Sequence, residues 1–469
     1  MRIINPKKII AVSDTVLHPE NLLLKKENQI GLCETILTKV SNKGYIVLDY
    51  GEELCGGVEI STFLVNGYCQ PKIRIRFGES ITEAYSDLGE KNSTNDHSLR
   101  DFETSLVSYS SMEFGQTGFR FVRIDFLEDI SLRIKSINAK VQSHNLIPIY
   151  EYSGKDNEVK DIFVTAKRTI DLCMQEYLWD GIKRDRLVWI GDIHPEMLAV
   201  ISLYGRQNII ERSLDFVKNQ TPLPAWMNRM PMYSLWWIII LADYYKLTDC
   251  DDYIGKQKEY LQDLICQINE CIKENGDLNF PSYFVDWPTK GKEDEFIGIR
   301  AICIWGMKSA IALQASLKTD NAVAESALKK LLKQPLNVKA AKQVIGLKYM
   351  AKGEISVAEQ NILITGGAKG MSTFMSYYIL KTVAETSGVS IAEAMMKEYY
   401  GGMLSCGATT FWEDFNIDWL DDSGRIDELP KVGQKDIHGD YGAYCYKGFR
   451  HSLCHGWSAG VIRFIKEYL

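Results

Sequence analysis

The period of the apolar residues changes once along the chain, near residue 150, and that change limits the fold more than any other feature. Before it, short segments alternate. "KIRIRF" (72–77) sets Ile73, Ile75 and Phe77 against Lys72, Arg74 and Arg76, the period-2 pattern of a half-buried strand. "GYIVLDYG" (44–51), "EISTFLV" (59–65), "FRFVRIDF" (119–126) and "LRIKSINAKVQ" (132–142) read the same way. Gly56-Gly57, Asn66-Gly67, Gly78 and Gly115 stand between them as turn residues, and 86–98 is a long polar loop. This pattern predicts an antiparallel β-sandwich over residues 1–148. After it, residues repeat at helical spacing. Helices are predicted over 159–178, 232–247, 252–274, 297–317, 321–334 and 391–400, among ten or more in all. So many consecutive helices over 149–469 fit a bundle, a solenoid or a closed α/α toroid. No repeat of fixed period supports the solenoid.

Composition removes several function classes. The net charge is −7 with no long basic run, against nucleic-acid binding. The eleven cysteines are scattered and form no CxxC pair, so neither a structural zinc site nor a disulfide framework is expected, and the thiols read as reduced. No dense His/Cys cluster points to a metal, and nothing calls for a cofactor. The N-terminus lacks an apolar signal core. No run reaches about 18 uninterrupted apolar residues, so no membrane partner is expected. "LWWIIILA" (235–242) is too short and reads as a buried helix. These features together predict a cytoplasmic protein.

The stretch "DGIKRDRLVWIGD" (180–192) fits neither half of this pattern. It holds Asp180, Asp185 and Asp192 among Lys183, Arg184 and Arg186, with Trp189 and two glycines. Taken singly, Asp192 reads as the N-cap of a helix containing Pro195, the arginines as surface partners of the carboxylates, and Trp189 as core. Together they lie in one connection between two helices, where a rigid scaffold presents functional residues. Three later stretches repeat the pairing of a carboxylate or histidine with tryptophan. They are "FVDWP" (284–288) with Asp286 and Trp287, "TTFWEDF" (409–415) with Trp412 and Glu413 after a helix ending at Gly401-Gly402, and "HSLCHGWSAG" (451–460) with His455 and Trp457. Glycoside hydrolysis needs one carboxylic acid to protonate the leaving oxygen and a second carboxylate to activate water or attack the sugar. Aromatic faces pack on the sugar's C–H faces.

"DGIKRDRLVWIGD" resembles the D-x-P-x-R-E-R-L-G-W-x-G-D stretch of bacterial α-L-rhamnosidases, glycoside hydrolase family 78. "GATTFWEDF" is similar to that family's G-A-T-T-x-W-E motif, and "HSLCHGWSAG" to its late histidine loop. "VLDYGEELCGGVEI" and "GFRFVRIDF" resemble the β-sandwich that precedes the catalytic part. The resemblance implies an (α/α)6 barrel, a six-hairpin toroid, after the sandwich. It also implies an exo-acting, inverting hydrolase of terminal α-L-rhamnosides. It puts the general acid on Asp185 and the general base on Glu413. Substrate contacts fall on Asp180, Arg184, Trp189, Asp192, Asp286, Trp287, Trp412 and His455. The partner is a rhamnose-containing glycan or glycoside. An inverting pair should stand about 6.5–9.5 Å apart rather than about 5 Å.

Two departures bear on the function. The family acid is usually Glu, so Asp185 must approach the glycosidic oxygen more closely. Val188 stands where the family has Gly, which keeps open a second reading, a related enzyme for another terminal sugar. A non-catalytic sugar-binding protein is a third. The chain also stops near the last expected barrel helix, which implies a pocket that is open or closed by a second copy in a homo-oligomer.

Overall fold

The computed structural model describes residues 2–65 and 70–469, so Asn66-Gly67 lies outside the described residues. The first part comprises β1 (Arg2–Ile4), β2 (Lys8–Val12), β3 (Val16–Leu17), β4 (Thr38–Val40), β5 (Gly44–Val65), β6 (Lys72–Gly78), the short α1 (Ile81–Tyr85), β7 (Asp101–Ser105), β8 (Ser110–Phe126) and β9 (Leu132–Val141). All nine strands pair antiparallel in one connected network. Its main order is β3-β4-β9-β5-β8-β6-β7, with β1 on β9 and β2 on β5. Residues of β5, β6, β8 and β9 bury Ile46, Leu48, Ile60, Ile73, Ile75, Phe119, Val122, Ile124 and Ile137 in one core, with Ile73, Ile75 and Phe77 of β6 alternating as the period-2 pattern requires.

Gly56-Gly57 and Gly115 are not turns. They lie inside β5 and β8, where the register shifts between Gly56 and Val58. A Cβ on Gly57 would overlap the carbonyl oxygens of Phe114 and Gly115, and Gly115 has φ +77. These glycines let two strands bulge and continue, so 44–51 and 59–65 are a single strand. The 86–98 segment is irregular apart from one 3₁₀ turn, Glu90–Asn92.

The helical part comprises α2 (Asn157–Cys173), α3 (Ile190–Tyr204), α4 (Asn208–Asn219), α5 (Pro231–Thr248), α6 (Asp251–Ile254), α7 (Lys258–Glu270), α8 (Glu295–Ser316), α9 (Ala322–Leu331), α10 (Lys342–Lys352), α11 (Val357–Ile364), α12 (Ser376–Thr386), α13 (Val389–Ser405) and α14 (Val461–Tyr468). The predicted helix 252–274 is interrupted by a 3₁₀ turn at Gly255–Gln257. Helix α13 runs through Gly401-Gly402 rather than ending there. A Cβ on Gly402 would press on Phe415, Ile417 and Leu420, so the glycine serves close packing inside the helix.

The helices sort by burial. Every residue of α3 is buried, and α5 and α8 are apolar nearly all round, the mark of helices enclosed by others. By length and composition α8 could cross a membrane, with a mean hydropathy of 1.6, yet most of it is buried among other helices. By contrast α2, α4 and α7 bury one face each. Packing runs α3–α5–α8–α10–α12–α14 and returns from α14 to α3. Helices α4, α7, α9, α11 and α13 lie against that series.

Candidate active site

A cavity of about 400 Å³ opens where four helix connections meet. The α2–α3 connection supplies Asp180, Arg184, Asp185 and Trp189, and the first turn of α3 supplies Asp192. Met230 and Tyr233 come from the start of α5, and Tyr283, Phe284 and Trp287 from the α7–α8 connection. The long α13–α14 connection supplies Glu413, Cys445, Tyr446, Arg450, His455 and Trp457.

The 180–187 loop is closed by its own first residue. The Asp180 amide donates to the Leu187 carbonyl at 3.1 Å, and the Leu187 amide donates back to Asp180 Oδ1 at 2.9 Å. Between them, Asp185 and Arg186 take left-handed conformations, φ +57 and +54. Two consecutive non-glycine residues there are unusual and cost free energy. Contacts outside the loop hold them. The Arg186 guanidinium lies 4.6 Å from the Trp179 ring centroid and donates to the Gln116 carbonyl at 3.0 Å. Gly118 lets β8 approach, since a Cβ there would stand 2.9 Å from the Lys183 nitrogen.

Asp192 is not an N-cap. Helix α3 begins at Ile190, whose amide is taken by Asn228 Oδ1 at 3.0 Å. With the helix end capped from another loop, the Asp192 carboxyl is free to face the cavity, where it accepts from the Tyr233 hydroxyl at 3.3 Å.

Arg184 joins the two carboxyls assigned as acid and base. Its Nη1 donates to Asp185 Oδ1 and its Nη2 to Glu413 Oε1, each at 2.7 Å, while Nε donates to the Arg450 carbonyl at 2.9 Å. Glu413 Oε2 accepts from the Ser452 amide at 3.0 Å, and the Glu413 amide donates to the Ser452 carbonyl at 3.0 Å. The Glu413 carbonyl accepts from Trp457 Nε1 at 3.0 Å and from the Thr373 hydroxyl at 2.6 Å. His455 Nε2 stands 3.5 Å from Glu413 Oε1, 3.8 Å from Asp180 Oδ2 and 3.9 Å from Asp192 Oδ2.

Burial sets the protonation pattern. Asp180 and Asp192 are pushed well above the usual carboxylate range, first by burial and then by neighbouring carboxylates. Both therefore favour the protonated form and can donate to a hydroxyl. Burial also raises Glu413, but Arg184 and the Ser452 amide pull it back toward the ionised form. Burial and then Arg184 hold His455 well below its ordinary value, as a neutral imidazole. Such a cavity can present several carboxyl groups, a neutral imidazole and aromatic faces to one small polar ligand.

Of the ten residues singled out from the sequence, Asp180, Arg184, Asp185, Trp189, Asp192, Trp287, Glu413 and His455 line this cavity. Asp286 and Trp412 do not. Asp286 is buried and lines a small neighbouring cavity that shares Trp287, Glu413, Tyr446 and Trp457 with this one; its carboxylate accepts from Ser372 and burial lifts it to about 6. Trp412 is fully buried against Phe415 and His451, while Glu413 beside it lines the cavity. Sequence reasoning missed Tyr233, Tyr283, Phe284 and Tyr446. Tyr233 is hidden in a uniformly apolar helix, whereas Tyr283 and Phe284 immediately precede a motif already marked.

Lys183 was missed as well. Its buried ammonium donates to Glu83 at 3.2 Å and to the Phe449 and His451 carbonyls at 2.9 and 2.6 Å, and it pairs with Glu79 at 2.9 Å. Glu79, Glu83 and His438 converge closely enough to hold a cation, and that cation is Lys183. Burial alone would lower the Lys183 ammonium, but Glu79 and Glu83 outweigh it and keep it charged.

No protein-family model and no curated protein sequence matches the chain. Solved structures do. A family 78 rhamnosidase of Bacillus sp. GL1 superposes with TM-score 0.74 at 17% identity, over 95% of this chain and 48% of that one. A rhamnosidase from Klebsiella oxytoca with rhamnose bound gives TM-score 0.74 at 16% identity, over 100% and 95% of the two chains. An α-L-rhamnosidase from Streptomyces avermitilis complexed with L-rhamnose gives 0.67 at 12%, over 99% and 43%. The chain spans about half the length of the Bacillus enzyme, less of the Streptomyces one, and nearly all of the Klebsiella one. Its antiparallel β region and the helical part that follows have the fold of these rhamnosidases, and these three and a fourth, an α-L-rhamnosidase from Dictyoglumus thermophilum, match it over most of its length.

Proposed function

We propose that the protein is an exo-acting, inverting α-L-rhamnosidase of two domains, 1–148 and 149–469. The second is read as an (α/α)6 barrel, on the cyclic packing order of α3, α5, α8, α10, α12 and α14. The observation that carries the function is Arg184, which binds Asp185 and Glu413 through separate nitrogens at 2.7 Å on the wall of one cavity. One guanidinium thus sets on the wall of a single cavity the two carboxyls that the reaction needs.

In this mechanism Asp185 protonates the glycosidic oxygen while Glu413 takes a proton from water on the opposite face of the sugar. Arg184 holds both in register and favours the ionised form of Glu413. The neutral carboxyls of Asp180 and Asp192 donate to sugar hydroxyls, and His455 Nε2 faces the same space. Trp189, Trp287 and Trp457 supply apolar faces around the ring. The rhamnose bound by the Klebsiella and Streptomyces enzymes supports the choice of sugar. Val188 is buried and is not among the residues that line the cavity.

A panel of p-nitrophenyl glycosides tests this reading. Release of nitrophenol from the α-L-rhamnopyranoside is expected, and Glu413→Gln should lower kcat by roughly 10³-fold, within the range for loss of a general base. Activity on another sugar alone, or a rate unchanged in Glu413→Gln, would overturn it.

A further inference from the structure

Exposure orders the cavity wall by depth. Asp180, Asp192, Glu413 and His455 are buried and form its floor. The Asp185 side chain is 18% exposed, that of Arg450 is 32% exposed, and Lys290 is open to solvent. An exo-acting enzyme takes the terminal sugar to the floor, so the rim faces whatever that sugar is attached to. This rim carries cations.

Lys290 is held at the rim by its own segment. Trp287–Thr289 forms one 3₁₀ turn, and the Lys290 amide donates to the Trp287 carbonyl at 3.2 Å. Side chains three residues apart eclipse in such a turn. The Lys290 ammonium accordingly lies 4.7 Å from the centroid of the Trp287 ring, where the electrons of an indole attract a cation. Tyr444 stacks on the same indole, with centroids 5.7 Å apart, and steadies it. The acids that follow Lys290 are already engaged. Glu293 pairs with Lys339, Asp294 accepts from the Lys339, Ala340 and Ala341 amides at 3.0, 2.8 and 2.8 Å, and Glu295 accepts from the Gly291 amide at 2.7 Å. Among the described residues no carboxylate pairs with Lys290.

The charges of the working cavity point the same way. Asp180 and Asp192 favour the neutral form, and a general acid carries its proton before the reaction. Glu413 is then the ionised carboxylate set against Arg184, Lys290 and Arg450. Arg450 shows what the rim can bind, since its guanidinium pairs with the half-exposed carboxylate of Asp96. In a chain of net charge −7, a positive mouth on a concave site concentrates anions there.

We propose that this rim is a subsite for an anionic aglycone, and that Lys290 selects rhamnosides whose next residue is a uronate by pairing with its carboxylate. The proposal rests on the rhamnosidase reading above and adds to it the class of the leaving group. Arg450 stands at the same rim as the second cation within reach of that class.

Calorimetry on Glu413→Gln, which should bind substrate without turning it over, tests this apart from hydrolysis. The ligands are a rhamnosyl glucuronate disaccharide and its carboxyl-reduced form, the matching rhamnosyl glucose. The glucuronate should bind roughly fivefold tighter, the scale of one part-exposed ion pair, and the margin should shrink as salt is raised. In the same background Lys290→Gln should remove most of the margin, Lys290→Arg should keep it, and Lys290→Glu should reverse it. Equal affinities for the two disaccharides, a margin that survives Lys290→Gln, or binding of neither would overturn the proposal. Hydrolysis of p-nitrophenyl α-L-rhamnoside by wild type reports on the parent reading separately. An enzyme that cleaves it while its Glu413→Gln variant shows no margin fails the proposal alone. A protein that shows the margin yet releases no rhamnose from any of the three glycosides fails the rhamnosidase reading alone.

Discussion

The α2–α3 connection and the α13–α14 connection carry the two carboxyls of the same site, and they are held in opposite ways. The first is short and closes on itself, through the paired hydrogen bonds of Asp180 and Leu187. The second spans residues 406–460 and is held from outside. Glu413 is fixed by Ser452 and Thr373, and Ser452 and Leu453 are in turn bound by Glu79 of the β region at 3.2 and 2.6 Å. Lys183 joins the two systems, because one ammonium faces Glu79, Glu83 and the 449–451 backbone at once. The acid side of the cavity thus adds a local closure to its contacts with Gln116, Gly118 and Arg450, whereas the base side depends on contacts remote in sequence.

The sharpest way to break this contrast is Lys183→Met. It strands buried carboxylates at the junction and should destabilise the protein by about 3–5 kcal/mol, the usual result of removing one partner of a buried pair. The loss should shrink as the pH falls, because Glu79, which burial already lifts to about 7, then takes up a proton. Chemical denaturation at two pH values measures both. A deficit that does not vary with pH would mean that the ammonium packs rather than neutralises.

A smaller effect separates the two tryptophans that the sequence treats alike. Trp287→Ala should raise KM for a rhamnoside roughly 30-fold, since an aromatic anchor is worth about 2 kcal/mol. Trp412→Phe should leave KM within about twofold of wild type, because a side chain without access to the cavity contributes packing alone. Steady-state kinetics on both variants would reverse the assignment if Trp412→Phe raised KM and Trp287→Ala did not.

The smallest effect is a shift in stability with pH. The Asp192 carboxyl is raised in the folded state by burial and then by Glu196 and Glu413. Its stabilising contribution is therefore fully present below its ordinary value of 3.8 and is lost as the pH rises through the raised one. Asp192→Asn removes the penalty of ionising it, so the variant should melt higher than wild type at pH 8 and gain nothing at pH 3.5. Thermal unfolding at the two values checks the sign, and an equal gain at both would contradict it.

The same contrast explains what could be read from the sequence. Period-2 and helical patterns report local geometry, so β6, β9, α5 and α8 are legible to within a few residues. The 180–192 cluster is legible because its residues reach the cavity from one short loop. Gly56-Gly57 misleads, since a bulge and a turn use the same residue for the same freedom, and only the pairing of β5 with β8 distinguishes them. The capping of α3 by Asn228 is a contact across 38 residues, invisible to local spacing, so Asp192 reads as a cap. Asp286 and Trp412 each adjoin a residue that lines the cavity without lining it themselves, and adjacency in sequence does not tell which of two neighbours reaches it. Glu79 and Glu83 carry no motif. Their meaning arises only when the β region docks on the two loops.

The most direct test of the whole account is proton NMR of the first sugar released from an alkyl α-L-rhamnoside, recorded before mutarotation. If Asp185 and Glu413 act as separate acid and base across Arg184, β-L-rhamnose appears first, and Glu413→Gln abolishes the signal. Initial release of α-L-rhamnose would mean that a carboxylate attacks the sugar directly, and release of no rhamnose would contradict the assignment of the cavity itself.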